Sequence, residues 1–436
     1  MFNGKTSAFY TLGCKLNFSE TSTISRQLKE IGFLKNEFND GADLFVINTC
    51  SVTENANKEC RRIIRKAKKI SPNSLVVVTG CFAQLKPKSI SEIEGVDMVL
   101  GANEKFNLPN LLENIQSKNK IHGCDIKNLN YHASFSTSER SRAFLKIQDG
   151  CDYPCSYCTI PLARGKSRCD TIENIIINAN KIAENKIKEI VITGVNIGEF
   201  KDPNTKENFY DLIKKLENID GIERYRISSI EPNLITKEII TFVKYSKKFM
   251  PHFHIPLQSG SDRILGKMKR RYNTRLYKEK ILTITKEIPE VCIGADVIVG
   301  FPGETDKMFD ETLDFIKELP LSYLHVFTYS ERENTIAINM DGVVSKQKRA
   351  ERSKKLRILS EKLQTAHYQK FLGTTQTALM EKENKKNFIF GYTDNYIKVK
   401  IPFSKKIVQQ KVKIKLLSHD ENGNVKSEFK KYVSNN

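Results

Sequence analysis

Three thiols stand within eight residues in Cys151-Asp152-Tyr153-Pro154-Cys155-Ser156-Tyr157-Cys158. A loop with this spacing can wrap so that all three sulfurs point at one centre, and soft thiolates suit an iron–sulfur cluster or zinc. Structural zinc takes four ligands in a closed tetrahedron. No fourth Cys or His stands at the usual close spacing, Cys169 being eleven residues on. Three ligands on a cubane cluster would leave one iron open for chemistry. The alternative is a zinc loop completed by a residue distant in sequence.

A second set of thiols is spread along the chain. Cys14 follows an apolar run in Tyr10-Thr11-Leu12-Gly13-Cys14, Cys50 another in Val46-Ile47-Asn48-Thr49-Cys50, and Cys81 a third in Val78-Thr79-Gly80-Cys81. Each sits just past the carboxyl end of an expected strand. In a parallel sheet those ends share one edge, where α/β domains place their ligands, so three thiols from separate loops can converge. The alternative is three small buried hydrophobes. Of the ten cysteines, the remaining four (Cys60, Cys124, Cys169 and Cys292) read as packing or surface residues.

The elements that would position these thiols are legible as alternation. Apolar runs at 8–12, 44–47, 75–78 and 98–100, separated by helical patterns at 19–31 and 57–70, predict an N-terminal parallel α/β domain over 1–120. A polar stretch with little periodicity reads as a linker over 121–142. Strands are expected at 144–148, 189–193, 225–229, 253–256, 295–299 and 323–327, with helices at 172–183, 210–217, 237–245, 274–288 and 305–318. Six βα units over 143–345 predict a partial (βα)6 barrel, since a complete eight-unit barrel takes ~250 residues. Small and polar residues follow these strands at Thr193-Gly194, Ser228-Ser229, Gln258-Ser259-Gly260 and Val299-Gly300, which outlines an active-site mouth. A charged helical linker over 346–372 leads to a small antiparallel β-domain over 373–436, plausible as a barrel, whose Lys398, Lys400, Lys411, Lys413 and Lys415 alternate with apolar residues.

Composition narrows the class. With 39% apolar residues, 436 positions can build real cores, which excludes global disorder. No run approaches the ~18 apolar residues of a membrane span, and no secretory pattern opens the chain, so a soluble cytoplasmic protein is expected. The net charge is +20, and residues 341–436 hold 22 basic and 9 acidic side chains, a net of +13. A bias concentrated at one end points to a polyanion, nucleic acid being the usual one. A merely Lys- and Asn-rich composition is the other reading.

Together these residues resemble the radical S-adenosylmethionine methylthiotransferases over nearly the whole chain. The resemblance rests on the CxxxCxxC loop, the three spaced N-terminal cysteines, His254-Ile255-Pro256-Leu257-Gln258-Ser259-Gly260-Ser261, Asp296-Val297-Ile298-Val299-Gly300-Phe301-Pro302-Gly303-Glu304, and a basic β-barrel tail of the TRAM kind. It implies two [4Fe-4S] clusters, one held by Cys151, Cys155 and Cys158 with S-adenosylmethionine on its open iron, the other by Cys14, Cys50 and Cys81 to present sulfur. Tyr157 would line the adenine side. Gly194, Ser229, Gln258 and Gly300 would contact S-adenosylmethionine.

The implied partner is the anticodon region of tRNA, besides a sulfur donor and an electron donor. The segments 144–151, 160–165 and His325-Val326-Phe327-Thr328-Tyr329-Ser330 look most like the branch that methylthiolates C2 of N6-threonylcarbamoyladenosine. The alternatives are the N6-isopentenyladenosine branch, the branch acting on a ribosomal-protein aspartate, and a non-catalytic, metal-stabilised RNA-binding protein. A compact stretch, Arg164-Gly165-Lys166-Ser167-Arg168-Cys169, departs from the other branches and leaves Lys166 and Arg168 without assigned roles.

Overall fold

A computed structural model describes residues 2–51, 54–113, 120–123, 125–126, 129–137, 141–385 and 387–433. Cys124 lies outside the described residues. No helix among them is long and apolar enough to cross a membrane.

The N-terminal sheet has six parallel strands in the order Leu34–Lys35, Thr6–Thr11, Leu44–Thr49, Leu75–Gly80, Met98–Leu100, Ile121–His122. The central strands are apolar at nearly every position because both faces are covered. Leu44 and Val46 pack with Ile24 and Leu28 of the helix Lys15–Glu30, while Phe45 and Ile47 pack with Ile63, Ile64 and Ala67 of the helix Glu54–Ile70. This is the strand period of two feeding two cores.

The stretch read as a linker is more structured than its composition suggests. Ile121–His122 completes the sheet beside Val99 and Leu100, Phe135 bridges Leu145, and Ser134 shares a hydroxyl hydrogen bond with Ser19 at 2.9 Å. Backbone pairing and hydroxyl contacts order this segment, and neither leaves a hydrophobic period to read.

Six parallel strands follow: Arg142–Lys146, Glu189–Thr193, Arg224–Ile227, His252–His254, Cys292–Val299 and Tyr323–Thr328. The first three and last three form separate sheets, which meet where Ser229 bridges His254 in parallel. Strand order follows chain order, and among the described residues the first and last strands do not pair. This is the expected partial barrel. The helix Lys346–Gln369 covers the last strand, Ser360 Oγ donating to the Leu324 carbonyl at 3.0 Å and accepting from the Leu324 amide at 2.8 Å. A partnerless edge is thereby protected.

The C-terminal strands Thr375–Lys385, Phe388–Thr393, Lys398–Pro402, Lys411–His419 and Val425–Tyr432 form a closed barrel. Its pairs are antiparallel except one, Val399 with Val425. It docks on the partial barrel through buried arginines: Arg224 donates to the carbonyls of Tyr392 and Thr393, and Arg226 to those of Thr393 and Asp394. Glu189 neutralises both, at 3.0 Å from each Nε.

Candidate active site

The 151–158 loop follows the first barrel strand and is pinned at both ends. The Cys151 amide donates to the Gly165 carbonyl at 3.1 Å, and Ser156 donates from its amide to Met268 O and from its hydroxyl to Lys267 O. Gly150 has a φ of +71°, and a Cβ there would come 2.0 Å from the Lys166 carbonyl oxygen, so only glycine admits this turn. Donors converge on all three sulfurs. The Tyr153 amide reaches Cys151 Sγ and the Ile160 amide reaches Cys158 Sγ, each at 3.4 Å, and Arg270 Nη1 reaches Cys155 Sγ at 3.1 Å. Burial pushes the Cys151 and Cys158 thiols up to about 12 and raises Cys155 too, with Arg270 opposing. A half-buried sulfur that accepts an N–H donor suits a thiolate that a soft metal would stabilise. Three such sulfurs on one loop fit a cluster.

The second set also fits one. Cys14 caps the helix Lys15–Glu30, Cys50 directly follows its strand, and Cys81 opens the helix Cys81–Leu85. The first two loops touch, since a Cβ on Gly13 would lie 3.0 Å from Cys50 Sγ. Asn17 fastens both, donating to Leu12 O at 2.8 Å and Thr49 O at 3.0 Å while its Oδ1 accepts from the Cys14 thiol. Burial raises the Cys81 thiol, and the Arg164 guanidinium opposes this.

The two sets face one another. Cys81 and Cys158 are close enough to influence each other's charge, and the helix Cys81–Leu85 packs on Ile160–Arg164. Arg164, fully buried, spans the junction: its guanidinium donates to Glu20 and Asn17 of the N-terminal domain and to Asp149 beside the barrel loop. Lys105 and Lys146 complete the network around Glu20 at 2.7 and 3.6 Å.

A cavity of about 240 Å³ opens beside Cys158, lined by Tyr157, Gln258, Asp296, Ile298 and Tyr329 among others. Gln258 has a φ of +65°, unusual for a residue with a side chain, and its buried Oε1 has no hydrogen-bond partner. Strain and an orphaned acceptor at a cavity wall are the marks of a ligand contact. Tyr157 and Gln258, two of the residues expected near S-adenosylmethionine, both line this cavity. Gly194, Ser229 and Gly300 do not line this cavity. Gly194 backs onto Gln148, whose Oε1 accepts from the Val195 and Asn196 amides at 2.9 Å each. Ser229 sits at the seam of the two sheets. Gly300, with a φ of +76°, lies against Arg349 of the C-terminal helix.

Other expectations resolve in detail. Cys60 and Cys292 are buried in cores, and Cys169 packs partly buried against the barrel core. Arg168 braces the compact stretch by donating to the carbonyls of Asn130, Arg164 and Lys166, while Lys166 is exposed. The C-terminal lysine rows are real, since Val399, Ile401, Val412 and Ile414 point inward between them. Yet two of the five lysines are ion-paired within the protein, Lys400 with Asp420 at 2.5 Å and Lys411 with Glu223 at 3.2 Å.

Sequence reasoning assigned no role to several polar residues inside the barrel. His254 Nε2 lies 2.9 Å and His325 Nδ1 3.3 Å from the same Asp296 oxygen, which both rings hold well below the usual carboxylate range. Asp296, Arg142 and Arg226 are among the charges that act on Lys15, next to Cys14 in the N-terminal domain. A charged residue at an inward strand position, as in Asp296-Val297-Ile298, was the one signal for this group.

The fold and paired thiol sets define a class, and comparison with known proteins agrees. Residues 6–101 match Uncharacterized protein family UPF0004, 145–316 the Radical SAM superfamily and 369–419 the TRAM domain. The chain is 37% identical over 422 residues to threonylcarbamoyladenosine tRNA methylthiotransferase MtaB of Bacillus subtilis, covering 94% of each. It is 38% identical to the Rickettsia prowazekii protein of that name, covering 92% of each. With tRNA-2-methylthio-N(6)-dimethylallyladenosine synthase of Natranaerobius thermophilus it shares 32% over 95% of this chain and 94% of that one. Among solved structures, radical S-adenosylmethionine methyltransferase TsrM from Kitasatospora setae shares the fold, with a TM-score of 0.57 at 11% identity, covering 77% of each chain. The chain belongs to the radical S-adenosylmethionine methylthiotransferase family. It is an enzyme of that chemistry, with [4Fe-4S] clusters and S-adenosylmethionine as cofactors.

Proposed function

We propose that the protein transfers a methylthio group to C2 of N6-threonylcarbamoyladenosine beside the anticodon of tRNA, working in the cytoplasm. The observation that carries this reading is the apposition of two three-thiol sets across one charged interface, in a chain 32–38% identical to four enzymes named for that nucleoside. Two synthases of the dimethylallyl kind are 32% identical.

In this reading Cys151, Cys155 and Cys158 hold the cluster that binds S-adenosylmethionine, and Cys14, Cys50 and Cys81 hold the second. Bound there, these groups supply the radical that activates the C2–H bond and the sulfur that replaces the hydrogen. The chain's own residues supply position. Tyr157 and Gln258 wall the cavity beside Cys158, Arg270 holds Cys155 from behind, and Glu231 in turn holds Arg270. Arg164 fixes the separation of the two thiol sets, as a two-centre reaction requires. Lys398, Lys413 and Lys415 remain available for phosphates, which position an RNA without reading its sequence.

Nucleoside mass spectrometry of total tRNA, with and without the gene, tests the proposal. The 2-methylthio derivative of threonylcarbamoyladenosine should vanish in the deletion strain while its unmethylthiolated precursor accumulates. Loss of the dimethylallyl derivative instead would assign the chain to the other branch.

A further inference from the structure

A second cavity, of about 140 Å³, lies at the junction of the partial barrel, the helix Lys346–Gln369 and the C-terminal barrel. Tyr323 and His325 line it from the last strand of the partial barrel, Gln364 from the helix, and Tyr392, Tyr396 and Lys398 from the C-terminal barrel. Side chains alternate along a strand, so Tyr323, His325 and Phe327 share one face at a spacing of about 7 Å. Phe327 lines the cavity beside Cys158, and the other two line this one. The neighbouring strand makes the same link. Asp296 pairs with His325 in the ladder, lines the first cavity and holds the His325 ring at Nδ1, 3.3 Å away. The two cavities are therefore consecutive along one wall.

The lining says what this second space accepts. It brings together four tyrosines, the Gln364 amide and, at one side, Lys398, and among the described residues no Asp or Glu lines it. With Nδ1 on Asp296, the His325 ring turns Nε2 away from that carboxylate, and the side chain is 54% exposed. Tyr396 is held at a φ of +65°, its ring stacked 4.2 Å from that of His252 and covered by the Arg226 guanidinium at 4.9 Å. A side chain kept in such a strained conformation by its surroundings marks a functional wall. Together these groups suit an anionic ligand rich in hydrogen-bonding atoms, and an apolar ligand would leave them unpaired.

We propose that this cavity receives the N6 substituent of the substrate adenosine, its threonyl carboxylate, hydroxyl and urea groups hydrogen-bonded by Gln364, His325 and the surrounding tyrosines. The inference rests on the nucleoside proposed above and assigns the part of the enzyme that reads it. In the purine ring N6 stands across N1 from the reacting C2. A base whose C2 faces the reaction centre beside Cys158 can thus lay its substituent along the wall from Phe327 to His325. A dimethylallyl group would enter the same space without satisfying its polar walls, and a site built for hydrogen bonds rejects an analogue that lacks them.

The test measures binding and turnover by the anaerobic holoenzyme on anticodon stem-loop RNAs that carry threonylcarbamoyladenosine, dimethylallyladenosine or plain adenosine at the target position. Wild-type enzyme should bind the threonylcarbamoyl loop about 10- to 100-fold tighter than the adenosine loop, the size of one charge-assisted hydrogen bond. Gln364→Phe fills the cavity from a half-buried helix position, and His325→Leu removes the ring nitrogens. Both variants, checked for full iron content and wild-type circular dichroism, should bring that ratio close to one. Gln364→Asn, which keeps the amide, should retain most of the preference. A wild-type ratio near one, or an undiminished ratio in Gln364→Phe, overturns the inference, while turnover of the threonylcarbamoyl loop keeps the nucleoside assignment standing. Variants that weaken every loop by the same factor assign the cavity to a neighbouring nucleotide and overturn it as well. A wild-type enzyme that modifies only the dimethylallyl loop overturns both.

Discussion

Arg164 donates to both carboxylate oxygens of Glu20, at 2.9 Å from Nη1 and 3.1 Å from Nη2, although the residues lie 144 positions apart. Both are buried, and the pair joins the helix that follows Cys14 to the helix that follows Cys158. Two thiol sets on different domains keep one separation because this contact leaves the domains little freedom to shift.

Removing one side of that contact should be severe. Arg164→Met leaves Glu20 and Asp149 buried with less counter-charge, and breaking such a pair costs about 3–5 kcal/mol. Glu20→Gln should cost less, since it retains an acceptor. The chain has no Trp, so urea unfolding is best followed by circular dichroism and tyrosine emission. An unchanged midpoint for Arg164→Met would contradict the role of the pair.

The thiol sets should separate by function. Cys155→Ala should abolish both formation of 5′-deoxyadenosine and methylthiolation. Cys14→Ala should still cleave S-adenosylmethionine under strong reductant but give no methylthiolated product. Iron content should fall to about half in either triple Cys→Ala protein, as expected for independent thiolate-held clusters. Full iron in a triple variant would remove that set's assignment.

Much of this site was legible in the sequence, and the illegible part has a common cause. Cys14, Cys50 and Cys81 could be placed at strand ends because buried parallel strands read as apolar runs, so the thiol after each run falls on one edge. The 151–158 loop declared itself by spacing. Arg164 and Glu20 did not, because a charged residue in a helix looks the same whether it meets solvent or a partner 144 positions away. Gly300 shows the converse: its place after a strand suggested a ligand contact, yet its positive φ serves a close approach to Arg349. The edge strand Leu34–Lys35 was missed because two residues carry no period.

The internal ion pairs of the C-terminal barrel divide its lysines into two groups. Lys413→Gln with Lys415→Gln should weaken tRNA binding and flatten the salt dependence, by a slope of about 0.7–0.9 for each phosphate no longer neutralised. Lys411→Gln should leave that slope unchanged, because Glu223 already holds its ammonium. Binding titrations at several salt concentrations distinguish the two. Equal slopes for the double variant and wild type would return these lysines to a solubility role.

His367 should make the joint between the long helix and the C-terminal barrel sensitive to acid. Burial lowers its pKa to about 4, although its ring bonds the Asn395 carbonyl at 3.2 Å. The unfolded chain takes up the proton near pH 6.5 and the folded chain only near 4, so stability is full above 6.5 and declines as pH falls towards 4. The loss is about 3 kcal/mol for this group. His367→Gln, which keeps a donor but does not titrate, should flatten melting temperature against pH across that window. An identical profile would show that other groups govern acid sensitivity.

Methylthiolation of the threonylcarbamoyl nucleoside requires both thiol sets to act together. Nucleoside mass spectrometry can follow it directly, after incubating reconstituted holoenzyme, S-adenosylmethionine and reductant with tRNA bearing either N6-threonylcarbamoyladenosine or N6-dimethylallyladenosine. A 2-methylthio product is expected from the first tRNA only, and none from either with Cys14→Ala or Cys155→Ala enzyme. Product from the dimethylallyl tRNA alone, or product that survives loss of either cysteine, would refute that joint action on this nucleoside.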